Sequence, residues 1–166
     1  CIRDRMRDGN GNVVRCEPEF SQWFTSCLHA PALEDKTFLR EVHIPFCKLG
    51  FQIDPWNQWC ALFSRLGHLV VLNLSNNGLS HGHMDSLAQT SLTNLKVLNL
   101  SFNALTDKSR SSMVKIIQKC PWLINLNLRS CRLTSEFVTP VQVMKVLGQL
   151  EELDLSYNRL GIRGLC

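Results

Sequence analysis

The residues best suited to chemistry are His81 and His83, one glycine apart, with His68 and Cys60 upstream. Imidazole and thiolate are zinc ligands, and a protein zinc site draws three or four of them to one point. Two histidines in one turn leave a single plausible neighbour for a third ligand, so this set reads as a polar loop. Glu151, Glu152 and Asp154 form the second candidate set. Paired carboxylates do acid–base work when their environments push their pKa values apart. Glu152 and Asp154 fall on one exposed strand face with no apolar cover to raise either. They read as a binding surface. No C-x-x-C pair, phosphate-cradling glycine loop or nucleophile elbow occurs. The chain therefore reads as a non-enzyme with no cofactor and no metal.

The elements that must position these groups come from a motif written four times: LVVLNLSNNGL from Leu69, LKVLNLSFNAL from Leu95, LINLNLRSCRL from Leu123 and LEELDLSYNRL from Leu150, with a weaker copy, LREVHIPFCKL, from Leu39. It is identified as a leucine-rich repeat. The fourth-position residues Val42, Leu72, Leu98, Leu126 and Leu153 lie 30, 26, 28 and 27 residues apart. A period above twenty leaves room for a strand, a turn and a helix in each unit. Leu72/Leu74, Leu98/Leu100, Leu126/Leu128 and Leu153/Leu155 alternate with polar residues, as a strand with one buried face requires. Asn77, Asn103 and Asn158 follow, each able to donate to and accept from backbone groups left unpaired at a strand end. Cys47 and Cys131 take that place in the other two units, where a thiol makes a poorer version of the same bond. Such units resemble the ribonuclease-inhibitor class, which implies an α/β leucine-rich repeat solenoid of about five repeats, a curved parallel sheet inside and helices outside.

Between the strands, Met113, Ile116, Ile117 and Cys120 recur at helical spacing, with Lys108, Arg110, Lys115 and Lys119 on a solvated basic side. Phe137, Val141, Met144 and Leu147 are expected to do the same in the next unit with Pro140 in the first turn. Trp56, Trp59, Leu62 and Phe63 serve the first full repeat. Residues 1–36 are less regular, with a turn signal at Asn10-Gly11 and a short helix expected from Ser21; they read as an irregular segment or a degenerate capping repeat. Residues 37–166 form the repeat domain, read as a fragment of a longer protein. Pro45 and Phe46 are expected to disturb the first strand.

At 166 residues, 45% hydrophobic and 19% charged, the chain can bury one continuous core, and it holds no run of eighteen apolar residues. Its eight cysteines are scattered instead of clustered, which favours free thiols and an intracellular protein. The triplets Asn73-Leu74-Ser75 and Asn99-Leu100-Ser101 match a glycosylation signal but arise from the repeat itself.

A solenoid of this kind binds with its concave sheet. The candidate face consists of Glu41, Val71, Val97, Asn125 and Glu152 in one row, and His43, Asn73, Asn99, Asn127 and Asp154 in the next. A third row adds Pro45, Ser75, Ser101, Arg129 and Ser156. At the eighth motif position Phe46, Phe102 and Tyr157 are either interface anchors or covers for the turn. The asparagine row is either a contact surface or a ladder among its own side chains. Net charge is +4, but the concave rows carry one arginine and three acids, the wrong surface for tracking phosphates. Protein partners are expected, not nucleic acid or membrane.

The phrase Cys120-Pro121-Trp122-Leu123 leading into Leu126-Asn127-Leu128-Arg129-Ser130-Cys131, with Phe137 and then Leu153-Asp154-Leu155-Ser156-Tyr157-Asn158, is similar to the C-terminal repeats of Tonsoku-like proteins. That resemblance covers roughly residues 37 to 166. It implies a nuclear scaffold in homologous-recombination repair of replication forks, whose partners are a repair scaffold subunit and recombination or chromatin proteins. The compartment implied is the nucleus, with the cytoplasm as alternative. The family's histone-reading ankyrin residues are not in this chain. The repeat class equally resembles the sensor region of nucleotide-binding innate-immune receptors, ribonuclease-inhibitor-like proteins and ubiquitin-ligase adaptors.

Overall fold

The structure is a computed structural model and describes residues 5–7, 13–15, 40–51 and 53–161. Five three-residue strands set its frame: β3 (Glu41–His43), β4 (Val71–Asn73), β5 (Val97–Asn99), β6 (Asn125–Asn127) and β7 (Glu152–Asp154), all parallel and in chain order. Before them, β1 (Arg5–Arg7) pairs antiparallel with both β2 (Val13–Arg15) and β3. Asn10-Gly11, the helix expected from Ser21 and the first motif leucine, Leu39, lie outside the described residues.

Parallel neighbours need a crossover, and each crossover here carries helix. These are α1 (Ile53–Arg65), α2 (His81–Leu87), α3 (Arg110–Lys119), α4 (Ser135–Val138) and α5 (Val141–Leu147). One core cluster runs the length of the array between sheet and helices. Leu72, Leu74, Leu98, Leu100, Leu126 and Leu128 are fully buried and meet Trp56, Phe63, Met84, Met113 and Phe137 from the helices. Each such side chain contributes about 1.5–3 kcal/mol of burial. The Trp56 indole N–H also donates to the His83 carbonyl at 2.8 Å, tying α1 to α2.

Where each strand ends, asparagine does the joining. The Asn77 amide donates to the carbonyls of Ile44 (2.7 Å) and Leu74 (3.0 Å) and accepts from the Cys47 N–H (2.7 Å). Asn103 repeats this one unit on, donating to Leu74 and Leu100 and accepting from Asn77 and Leu79. Asn158 does so again, holding Leu128, Leu155, Cys131 and Leu133. The chain also needs glycine at one close approach: a Cβ on Gly50 would collide with the Gly78 carbonyl of the next repeat.

Three expectations need correction. Val141 and Met144 are 81% and 51% exposed, and α5 instead buries Val143, Val146 and Leu147. Pro140 is the N-cap of α5 and splits the crossover into two helices, which resets the helical phase. Val141 and Met144 lie 27 residues on from Val114 and Ile117, and among the described residues no further repeat packs over them. Leu153 and Leu155 are likewise incompletely covered, because among the described residues β7 has a strand on one side only. Pro45 and Phe46 do not disturb β3, which ends at His43 as its neighbours end, leaving both residues in the turn. On the basic side, Lys119 donates to the Ala88 carbonyl (2.7 Å) and Arg110 to that of Glu136 (2.8 Å), so these two side chains clamp adjacent repeats.

Candidate functional site

The strand register assembles the concave rows. Glu41 pairs with Val71, Val71 with Val97, Val97 with Asn125 and Asn125 with Glu152. His43, Asn73, Asn99, Asn127 and Asp154 align the same way. In the second row each side-chain oxygen accepts from the backbone N–H two residues on. Asn73 takes Ser75, Asn99 takes Ser101 and Asn127 takes Arg129, all at 3.0 Å, while Asp154 takes Ser156 at 2.9 Å. These local turns fix the carboxamides. The NH2 groups of the three asparagines find no acceptor among the described residues.

Acids stand at both ends of this neutral middle. The Glu41 carboxylate lies 3.3 Å from the His43 ring nitrogen Nε2, and Glu152 accepts from the Asn125 amide. Hydrogen bonds from Ser156 hold the Asp154 carboxyl below its ordinary value, with Arg129 adding to the effect. The third row is divided: Ser75 and Ser101 are buried, whereas Arg129 is half-buried and Ser156 exposed.

Beyond the strand ends, the eighth motif position is left-handed in all five repeats. Phe46, Asn76, Phe102, Ser130 and Tyr157 have φ of 61°, 53°, 57°, 53° and 57°. Side chains with a Cβ resist this region by about 1–2 kcal/mol. The backbone N–H of the first four donates to the seventh-position carbonyl of the next repeat, at 2.8 to 3.1 Å. Phe46, Phe102 and Tyr157 stand 54%, 50% and 75% exposed. Between the last two lies the Arg129 guanidinium, 6.0 Å from the Phe102 ring centre and 3.9 Å from that of Tyr157, with Nη1 donating to the Ser156 hydroxyl at 3.0 Å. Nothing in the motif alone signals this clamp.

The histidine and cysteine set is dispersed. His83 Nδ1 accepts from the Ser80 N–H (3.1 Å) and lies 2.8 Å from its hydroxyl, capping α2, while His81 is exposed. Burial, then the nearby His81, lowers the His83 pKa. Cys60 is a free, buried thiol of α1 pushed up to about 12 by burial. Among the described residues no group of three or more His, Cys, Asp or Glu could hold a metal ion, and no helix is long and apolar enough to cross a membrane.

Family profiles described as Leucine Rich repeat match residues 91–114, and as Leucine Rich Repeat residues 68–90 and 149–166. This is a leucine-rich repeat protein. Tonsoku-like protein of Mus musculus is 34% identical to it over 151 residues, 81% of this chain. Tonsoku-like protein of Bos taurus is 37% identical over 142 residues, 78% of this chain. The chain spans about a tenth of the length of these curated relatives. In fold it is similar to the Caenorhabditis elegans tropomodulin C-terminal domain, at a TM-score of 0.61 and 20% identity over 81% of this chain and 83% of that one. Leiomodin-1 actin-binding site 2 gives the same TM-score at 12% identity, over 90% of this chain and 84% of that one. The repeat protein thus presents an interaction fold, a parallel sheet that offers polar side chains along one continuous face.

Proposed function

We propose that this chain is a protein-docking module of a nuclear scaffold that acts in homologous-recombination repair of replication forks. The similarity to Tonsoku-like proteins over about four-fifths of the chain carries the reading. The concave face supports it: pinned carboxamides in the middle, acids at the ends and exposed aromatics at the rim suit an extended protein surface. One arginine against three acids disfavours a nucleic-acid backbone. Docking asks no catalysis of the chain. In this reading β1 and β2 cap the array, with β1 covering the edge of β3.

The test is affinity purification of the full-length protein from dividing cells, with and without replication stress, followed by mass spectrometry. Recovery of recombination and chromatin proteins that rises under stress is the expected result, and joint substitution Phe102→Ala and Tyr157→Ala should reduce it while the fold is kept. Absence of those proteins, or recovery of inflammatory adaptors in their place, overturns the reading.

A further inference from the structure

Phe46, Phe102 and Tyr157 occupy the same motif position in alternate repeats, with matching left-handed backbones. Phe46 and Phe102 make the same N–H bond to the next repeat, to the carbonyls of Ser75 and Arg129. Neighbouring strands lie about 4.8 Å apart, so alternate repeats hold these positions roughly 10 Å apart. That spacing admits one planar group between two rings.

The gap between Phe102 and Tyr157 is filled from within. Arg129, at the seventh position of the intervening repeat, places its guanidinium there, 6.0 Å and 3.9 Å from the two ring centres. The gap between Phe46 and Phe102 is bounded by the same motif position, with matching left-handed backbones and similarly exposed rings. Its intervening seventh residue is Ser75, buried and too short to enter, and its eighth is the exposed Asn76. Among the described residues no cation lies over the Phe46 ring. We propose that this second gap is a slot for an arginine side chain of a partner protein, seated as Arg129 is seated in the first.

The chemistry selects that occupant. Aromatic faces carry negative quadrupole density and attract cations while repelling carboxylates and phosphates. A guanidinium is planar and weakly hydrated, so it stacks between rings where an ammonium would keep its water. Glu41, in the same repeat as Phe46, and the acids Glu152 and Asp154 at the far end favour a basic segment over an acidic one. This inference deepens the docking reading and rests on it for the partner's being a protein.

The whole 166-residue chain would be titrated with acetyl-Gly-Arg-Gly-Arg-Gly-amide, its citrulline analogue and its glutamate analogue, reading ring-proton shifts by NMR. The expected result is saturable shifts at Phe46 and Phe102 with the arginine peptide and at least tenfold weaker binding of the other two. Phe46→Leu should weaken binding at least tenfold. Ser75→Arg should fill the slot from within and abolish it, with circular dichroism unchanged in both variants. Shifts that survive Ser75→Arg, equal binding of the citrulline or glutamate peptide, or no shifts with any peptide would overturn the slot. Loss of repair partners on Phe102→Ala with Tyr157→Ala would then still stand for docking by another contact, so the two readings fail separately.

Discussion

The Cys131 thiol donates to the Leu100 carbonyl at 3.2 Å, the bond that Asn103 makes to Leu74 and Asn158 to Leu128 one repeat to either side. The donor function of the strand-end series Asn77, Asn103 and Asn158 thus passes through the cysteine. The acceptor function weakens there, because sulfur stands where Asn103 and Asn158 present an amide oxygen to the neighbouring repeat.

Cys131→Asn is expected to restore the oxygen and stabilise the array by about 1 kcal/mol. Asn103→Ala removes the acceptor of the Asn77 and Leu79 N–H groups, both buried, and should cost about 2–4 kcal/mol. Urea unfolding of the whole chain, monitored by circular dichroism, measures both; a destabilised Cys131→Asn would show that packing at this site outweighs the bond.

Leu126 and Leu153 hold the same motif position but are 0% and 36% exposed. Leu126→Ala should cost about 2–5 kcal/mol through a core cavity, and Leu153→Ala clearly less, since water already reaches that site. Equal losses in the same unfolding experiment would mean that the face beyond β7 is covered in solution.

His83 supplies a pH dependence. Its folded pKa lies below the ordinary 6.5, chiefly through burial. The unfolded chain therefore binds the proton more readily, so this contribution is whole above 6.5 and is lost as pH falls below that value toward the folded pKa. Melting should drop between about pH 7.5 and about pH 5.5, and His83→Asn, which keeps an acceptor for Ser80 but cannot titrate, should flatten the slope. An unchanged slope in that variant would assign the effect to other groups.

The strands, their register and the strand-end bonds of Asn77, Asn103 and Asn158 were legible because a leucine or asparagine at those positions has one physical use. Trp56, Trp59, Leu62 and Phe63 were legible for the same reason, and all four are buried in α1. The face of α5 was not: its phase depends on where Pro140 restarts the helix, and a pattern read across that break joins residues of two helices. The Arg129 clamp was hidden because its walls come from units on either side and because a left-handed turn at phenylalanine leaves no trace in composition. Buried Ser75 and Ser101 show the same limit, since alternation says which way a side chain points but not what its neighbours cover.

The five left-handed turns make one kind of backbone whether they bear Phe46, Asn76, Phe102, Ser130 or Tyr157. The main chain there is indifferent to its side chain. Side chains can therefore change at this rim one residue at a time while the folding code, written in the leucines and asparagines beneath, stays as it is. A solenoid so divided can change its surface over generations without first becoming unstable.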